Sequence, residues 1–400
     1  MRCLGRELTA INAENTCRAE IEPYNLRMDG GEKLYVWQQD DWPHWRYDLP
    51  RLAPLLAQAH EARGRLLGRM HDLGLGLREQ ATLGALTEDV LKTSEIEGER
   101  LNPDTVRSSV ARRLGVDIGA LAPADRHVDG VVDMVLDATQ NAQAPLSAER
   151  LFAWHAALFP TGHSGLTKLR VGAWRDDANG PMQVVSGRLD RQTVHYQAPP
   201  AALLDAEMAA FLRWFNTVQP DDPLIHAGLT HLWFVTIHPF EDGNGRIARA
   251  IGDMALARSE PMAQRYYSLS AQIQRERKDY YDMLERTQKG SMDVTGWLAW
   301  FLGCLLRAIQ SAEATLDAVL AKARFWQRWA GTPMNERQIK LLNRLLDGFE
   351  GKLTSSKWAA IAKCSADTAL RDISDLLARG VLVKAAAGGR STHYELAPIS

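Results

Sequence analysis

Apolar residues recur at steps of three and four along most of the chain. This period predicts helices over 52–73, 80–96, 128–141, 147–158, 200–216, 224–237, 245–258, 271–288 and 294–314. The segment LIHAGLTHLWFVTI, 224–237, is apolar on nearly every face, which marks it as a buried central helix. Within 182–196, two short β-prone runs flank a polar turn and predict a hairpin. The expected fold class is therefore mainly α, a helical core carrying one β-hairpin. In the 80–96 helix, Leu83, Leu86, Val90, Thr93 and Glu97 share one face, so a carboxylate stands on the apolar stripe. Two readings fit that position. Glu97 either ends the stripe in solvent before Gly98, a residue suited to the position after a helix, or is a buried carboxylate that needs a cation, because an unpaired buried charge costs several kcal/mol.

The two ends of the chain read differently. Residues 1–31 are polar and aperiodic and predict a loose extension, with Met28 as a second candidate start; an aromatic cluster containing Trp37, Trp42 and Trp45 follows, suited to packing over a small core. At the other end, helices over 335–346, 357–362 and 365–378, a strand at 381–383, a glycine turn and a strand at 392–396 give the order of a winged helix-turn-helix. That segment, 334–400, holds ten Lys+Arg against seven Asp+Glu, a mildly basic +3. The resulting division is an extension at 1–31, a helical N-terminal region at 32–115, a core domain at 116–310, a connecting helix at 311–333 and the winged helix at 334–400.

Composition removes several function classes. With 46% hydrophobic residues the chain supports real cores, and 47 Lys+Arg against 49 Asp+Glu leave a formal charge of -2, so no global field draws it to nucleic acid or lipid. The apolar run 297–306 is about half of the ~20 residues a membrane span requires, and the start MRCLGRELTA lacks an apolar signal core. A soluble, cytoplasmic protein without a membrane partner is expected. Cys3, Cys17, Cys304 and Cys364 have no metal-site or disulfide spacing.

One stretch carries chemistry: HPFEDGNGRIAR, from His238 to Arg249. Two glycines around Asn244 form a tight loop that opens into a helix, whose free N–H groups and partial positive charge suit phosphate. Arg246 and Arg249 follow within a turn, adding guanidinium forks that favour an oligophosphate over a single carboxylate. Asp242 is placed to hold a Mg2+ that bridges phosphate oxygens, since Mg2+ takes one or two protein carboxylates plus phosphate. His238 can accept a proton at neutral pH and activate a hydroxyl. His226, His231 and His238 are spaced at five and seven, which does not match the i, i+4 ligand pair of a zinc hydrolase.

The stretch resembles the Fic (filamentation induced by cAMP) motif, HPFx(D/E)GNGRxxR, at all nine fixed positions. What the resemblance implies is a protein adenylyltransferase, moving AMP from ATP to a Ser, Thr or Tyr hydroxyl of a protein. His238 would then be the general base, Asp242 the Mg2+ ligand, Gly243, Asn244 and Gly245 the anion hole, and Arg246 and Arg249 the ligands of the outer phosphates. Thr93-Ser94-Glu95-Ile96-Glu97-Gly98 is similar to the family's inhibitory pattern (S/T)xxxE(G/N), with Thr93, Glu97 and Gly98 at its fixed positions. The resemblance pairs Glu97 with Arg249 and so implies self-inhibition. It also implies that 182–196 is a target-docking flap through Val184, Val185 and Ser186, that Tyr281 and Gln288 contact adenine, and that the subgroup joins an N-terminal inhibitory helix to a winged helix and forms homodimers, with automodification expected.

Two other readings remain at the level of sequence. Relatives that keep the fold transfer UMP, phosphocholine or phosphate, or remove AMP. A non-enzymatic reading makes the chain a DNA-binding regulator, with Thr368, Arg371 and Ser374 facing the groove in weak, salt-sensitive contact.

Overall fold

In the computed structural model the described residues are 34–119, 121–188, 191–217, 221–260, 265–346, 349, 352–385 and 392–398; the extension at 1–31 and the glycine turn at 386–391 lie outside them. The chain divides into two units, Met1–Ala312 and Glu313–Ser400.

Several helix starts in the first unit are set by side-chain caps. Helix α1 (Leu49–His71) begins at Asp48, whose carboxylate accepts from Arg51 N, and α2 (Leu75–Ile96) follows. Helix α3 (Pro103–Leu114) begins at Asn102, whose Oδ1 accepts from Asp104 N and Thr105 N at 2.9 and 3.1 Å. Then come α4 (Arg126–Gln140), α5 (Ala148–Leu158), a short hairpin of β1 (His163–Ser164) and β2 (Thr167–Lys168), and a longer one of β3 (Gln183–Arg188) and β4 (Arg191–Gln197). Helices α6 (Leu204–Asn216), α7 (Pro223–Ile237), α8 (Asn244–Arg258), α9 (Leu269–Arg275), α10 (Arg277–Gln288) and α11 (Thr295–Arg328) complete it, α11 running across the boundary between units.

As its pattern requires, α7 is buried along almost its whole length, and it packs against α8, which is buried too. Helix α2 lies against α3 and α9 and also reaches α8. Gly130 on α4 permits a close crossing with α5, since a Cβ there would stand 1.8 Å from Ala157 O. Trp42 and Trp45 pack edge-on against Trp233 of α7, at 6.2 and 6.5 Å between ring centres. Trp37 joins Tyr35 and Tyr196 at the base of the longer hairpin, donating to Gln197 O at 2.8 Å.

The elements depart from the sequence expectation in four places, the first being the β1–β2 hairpin, which the sequence did not suggest. Helix α3 was not anticipated. The helix expected over 271–288 is two helices, α9 and α10, parted at Glu276, whose carboxylate takes a bidentate pair from Arg307 at 2.6 Å. The helix expected to stop at 314 continues to Arg328.

In the second unit, α12 (Glu336–Leu346), α13 (Ser355–Ala362) and α14 (Ala366–Ala378) precede antiparallel β5 (Leu382–Lys384) and β6 (Tyr394–Leu396). Its core gathers Phe325, Leu341, Trp358, Ile373, Leu376 and Val381. Arg337 grips Asp372 of α14 with two bonds at 2.9 and 3.0 Å.

Candidate active site

The loop between α7 and α8 is built from both ends inward. Helix α7 stops at His238, which takes the left-handed conformation at φ 52° and leaves its ring buried. Its Nδ1 lies 3.1 Å from Val235 O, an acceptor only, so Nδ1 carries the proton and Nε2 is left as the basic nitrogen. Burial lowers the His238 pKa to about 4, the Val235 bond acting the other way. The ring is therefore neutral at pH 7. Phe240 anchors the loop, fully buried and stacked on His155 with ring centres 4.3 Å apart. Asn244 closes it, accepting from Phe240 N at 2.9 Å and donating to Phe240 O at 2.7 Å. Helix α8 then starts after Gly243, at φ 82°, a conformation natural to glycine. Its first N–H groups lack intrahelical acceptors.

Both arginines are buried. Arg249 donates through Nε to Thr93 Oγ1 at 2.8 Å, and through Nη2 to Thr93 O at 2.9 Å and Glu97 Oε1 at 2.7 Å. Desolvation opposes its charge, and the Glu97 carboxylate together with Tyr280 and Tyr281 outweighs it, raising the Arg249 pKa. Arg246 lies over the Phe159 ring at 5.0 Å and donates to Glu99 Oε2 at 3.1 Å. Nε of Arg246 and Nη1 of Arg249 are buried without a hydrogen-bond partner among the described residues. Buried guanidinium donors of this kind are able to bond an anion's oxygens. Gly245 fits here because a Cβ would stand 2.2 Å from Glu97 Oε1.

Glu97 thus satisfies part of each reading of its position. Gly98, at φ 85°, does end α2, with Gly98 N bonded to Glu95 O and Glu99 N to Ser94 O, both at 3.0 Å. The carboxylate is not left in solvent; its side chain is 12% exposed and paired. Asp242 accepts from Gly243 N at 2.6 Å through Oδ1 and from Ser164 at 2.5 Å through Oδ2. Its oxygens keep further lone pairs, a donor set that fits a hard cation such as Mg2+.

Tyr281 and Gln288, two turns apart on α10, are both buried. The Tyr281 hydroxyl points at Ile96 O from 3.5 Å, and Gln288 Nε2 lies 3.4 Å from Thr236 Oγ1. In the longer hairpin Val185 is buried, Val184 and Ser186 are half-buried, and Ser186 Oγ meets His195 Nε2 at 2.5 Å while His195 Nδ1 meets Glu285 of α10 at 2.7 Å. Among the described residues, no hydrogen bond joins these three hairpin residues to the two arginines. The hairpin is tied to the loop by residues that sequence reading missed. Arg175 donates through Nε to His238 O at 2.8 Å and through Nη2 to Pro199 O at 2.5 Å, and Tyr196 donates to Thr236 O at 2.7 Å. Arg175, Ser164 and Glu99 carry no local signal, because each acts on a partner far along the chain.

The site joins a helical core, a loop rising into a buried helix N-terminus and two buried arginines that each keep one unpartnered N–H. Residues 145–256 match the Fic/DOC family, and residues 35–116 match a domain of unknown function (DUF4172). The chain is similar to a protein adenylyltransferase Fic of Nematostella vectensis, 30% identical over 151 residues, 36% of this chain and 31% of that protein. Another adenylyltransferase of that name, from Culex quinquefasciatus, is 25% identical over 265 residues, 64% of this chain and 45% of its own. A uridine 5'-monophosphate transferase of Xanthomonas campestris is 30% identical over 131 residues, 29% of this chain and 22% of its own. The chain therefore spans less than half the length of these relatives. Among solved structures, a Fic family protein from Desulfovibrio desulfuricans shares the fold at a TM-score of 0.51 and 21% identity, covering 88% of this chain and 97% of that one.

Proposed function

We propose that the chain is a self-inhibited protein adenylyltransferase, transferring AMP from ATP to a hydroxyl side chain of a protein. The observation that carries this reading is the Glu97–Arg249 pair at 2.7 Å: a carboxylate of the chain itself holds a buried arginine that still has an unpartnered N–H beside a helix N-terminus. In the active state the backbone N–H groups of Gly243, Asn244 and Gly245 bind phosphate oxygens, and Arg246 and Arg249 hold the outer phosphates. His238 Nε2 takes the proton of the acceptor hydroxyl as its oxygen attacks the α-phosphorus, the bond to pyrophosphate breaks, and Arg246 and Arg249 stabilise the departing charge. Asp242 would hold Mg2+, which supplies charge neutralisation to the phosphates when bound. Tyr281 and Gln288 flank the adenine, and Val184, Val185 and Ser186 align the target strand.

Glu97 on Arg249 displaces the γ-phosphate and leaves the α-phosphate out of line. Automodification and a homodimer belong to the same reading, as does a cytoplasmic location; no helix among the described residues is long and apolar enough to cross a membrane. The second unit is read as a winged helix, with Ala366–Ala378 in weak contact with duplex DNA through Arg371 and Ser374, both exposed. Because a uridine 5'-monophosphate transferase is among the relatives, UMP transfer is the second reading. Incubating the chain with ATP labelled at the α or the γ position, and with α-labelled UTP, separates them. Protein-bound label from α-labelled ATP alone supports AMP transfer; label from UTP selects the second reading, and label from the γ position overturns both.

A further inference from the structure

Two residues beyond Glu97, another carboxylate reaches the other arginine. Glu99 Oε2 accepts from Arg246 Nη1 at 3.1 Å, and its Oε1 lies 2.6 Å from His127 Nε2 in the first turn of α4. The Glu99 side chain is 23% exposed and that of Arg246 5%, so the pair is shielded on one side and open to solvent on the other. The backbone explains why both carboxylates turn to α8. Gly98 is left-handed, and the bonds from Gly98 N and Glu99 N back to α2 reverse the chain tightly enough that Glu97 and Glu99 each find an arginine. Each guanidinium nevertheless retains one buried, unpartnered N–H.

We propose that Glu99 is a second phosphate-competing carboxylate, which occupies Arg246 and thereby sets how far the site distinguishes a nucleoside triphosphate from a monophosphate. This rests on reading the loop as a nucleotide site. Glu97 and Glu99 act on different arginines, so removing Glu97 frees Arg249 and leaves Arg246 paired. A triphosphate must displace Glu99 to engage Arg246 fully. AMP has no outer phosphates to bring there and is indifferent to Glu99.

The test is calorimetric titration of the full chain with ATP and, separately, with AMP, in the parent, Glu99→Gln, Glu97→Gly and the double variant. Losing one partly exposed charge pair should tighten ATP by about 2- to 5-fold, with the factor recurring on the Glu97→Gly background and AMP unchanged. Glu99→Ala is measured alongside, in case Gln keeps a bond to Arg246, and thermal melts verify that each variant is folded. Unchanged ATP affinity in both Glu99 variants on both backgrounds, or equal tightening of AMP, overturns the role of Glu99. If Glu97→Gly still tightens ATP in that case, the reading of the site stands without it. Absence of ATP binding in every protein overturns the nucleotide reading itself.

Discussion

His238 shows how backbone and side chain act together at one residue. Its left-handed φ of 52° ends α7, and the Nδ1 contact with Val235 O fixes which nitrogen is basic. Replacing it with Ala should lower transfer by about 10²- to 10⁴-fold while leaving ATP affinity nearly unchanged, as rate and calorimetric titration would show. Thr93 makes a subtler contribution. Its hydroxyl and carbonyl both accept from Arg249, so it helps hold the arginine toward α2. Thr93→Val removes the hydroxyl bond at similar volume and should raise automodification by about 2- to 10-fold, the worth of a bond of roughly 0.5–1.5 kcal/mol; unchanged or reduced activity would argue that Thr93 only packs. The segment from His238 to Arg249 was legible in sequence because its loop, nest and arginines are contiguous. Arg175 was not, since an isolated buried arginine acquires meaning only when the fold brings it to His238 O, 63 positions away.

At the scale of elements, α2 ends in a turn that depends on Gly98 and carries Glu97 to Arg249. An L-residue there must adopt φ 85°, so Gly98→Ala should strain the turn by about 1 kcal/mol and loosen both Glu97 and Glu99. The expected outcome is a melting temperature lower by a few degrees with automodification above the parent, measured on the same preparation. The place of Glu97 on an apolar stripe was readable from the three-and-four spacing, because a helical face is a local property. Other elements were harder. Helix α3 announces itself through Asn102-Pro103, a cap followed by proline, yet its periodic stretch is short. The parting of α9 from α10 has no glycine or proline to mark it; Arg307, 31 positions from Glu276, holds the junction. Helix α11 overran its expected end since no breaker stands before Gly331.

Across the first unit, buried histidines couple stability to pH. Burial lowers His155 and His226 to about 4, His231 to about 3 and His238 to about 4. Each is neutral when folded and takes up a proton on unfolding below about pH 6.5, so its stabilising effect is complete above that pH and is lost as pH falls toward 4. Raised carboxylates oppose this: Asp89 is lifted to about 7 by burial, with Asp253 adding to it, and Glu260 is raised by burial as well. Single substitutions isolate one group. His226, whose ring packs at a tilt against Trp214 with ring centres 4.4 Å apart, has no part in the proposed chemistry. Urea unfolding at pH 7 and pH 5 should show the parent losing about 1–2 kcal/mol more than His226→Gln on acidification; an equal loss would mean that His226 is not held neutral.

The central claim is that Glu97 restrains Arg249, and automodification with α-labelled ATP tests it most directly in the parent, Glu97→Gly and Glu97→Gly/Arg249→Ala. Release of a blocking pair worth about 1.4 to 4 kcal/mol corresponds to roughly 10- to 10³-fold more label in the single variant, and the gain should vanish in the double. Because glycine also weakens the helix end by about 1 kcal/mol, Glu97→Gln accompanies the set and should be activated as well. No increase in the single variants, or an increase that survives loss of Arg249, would contradict it.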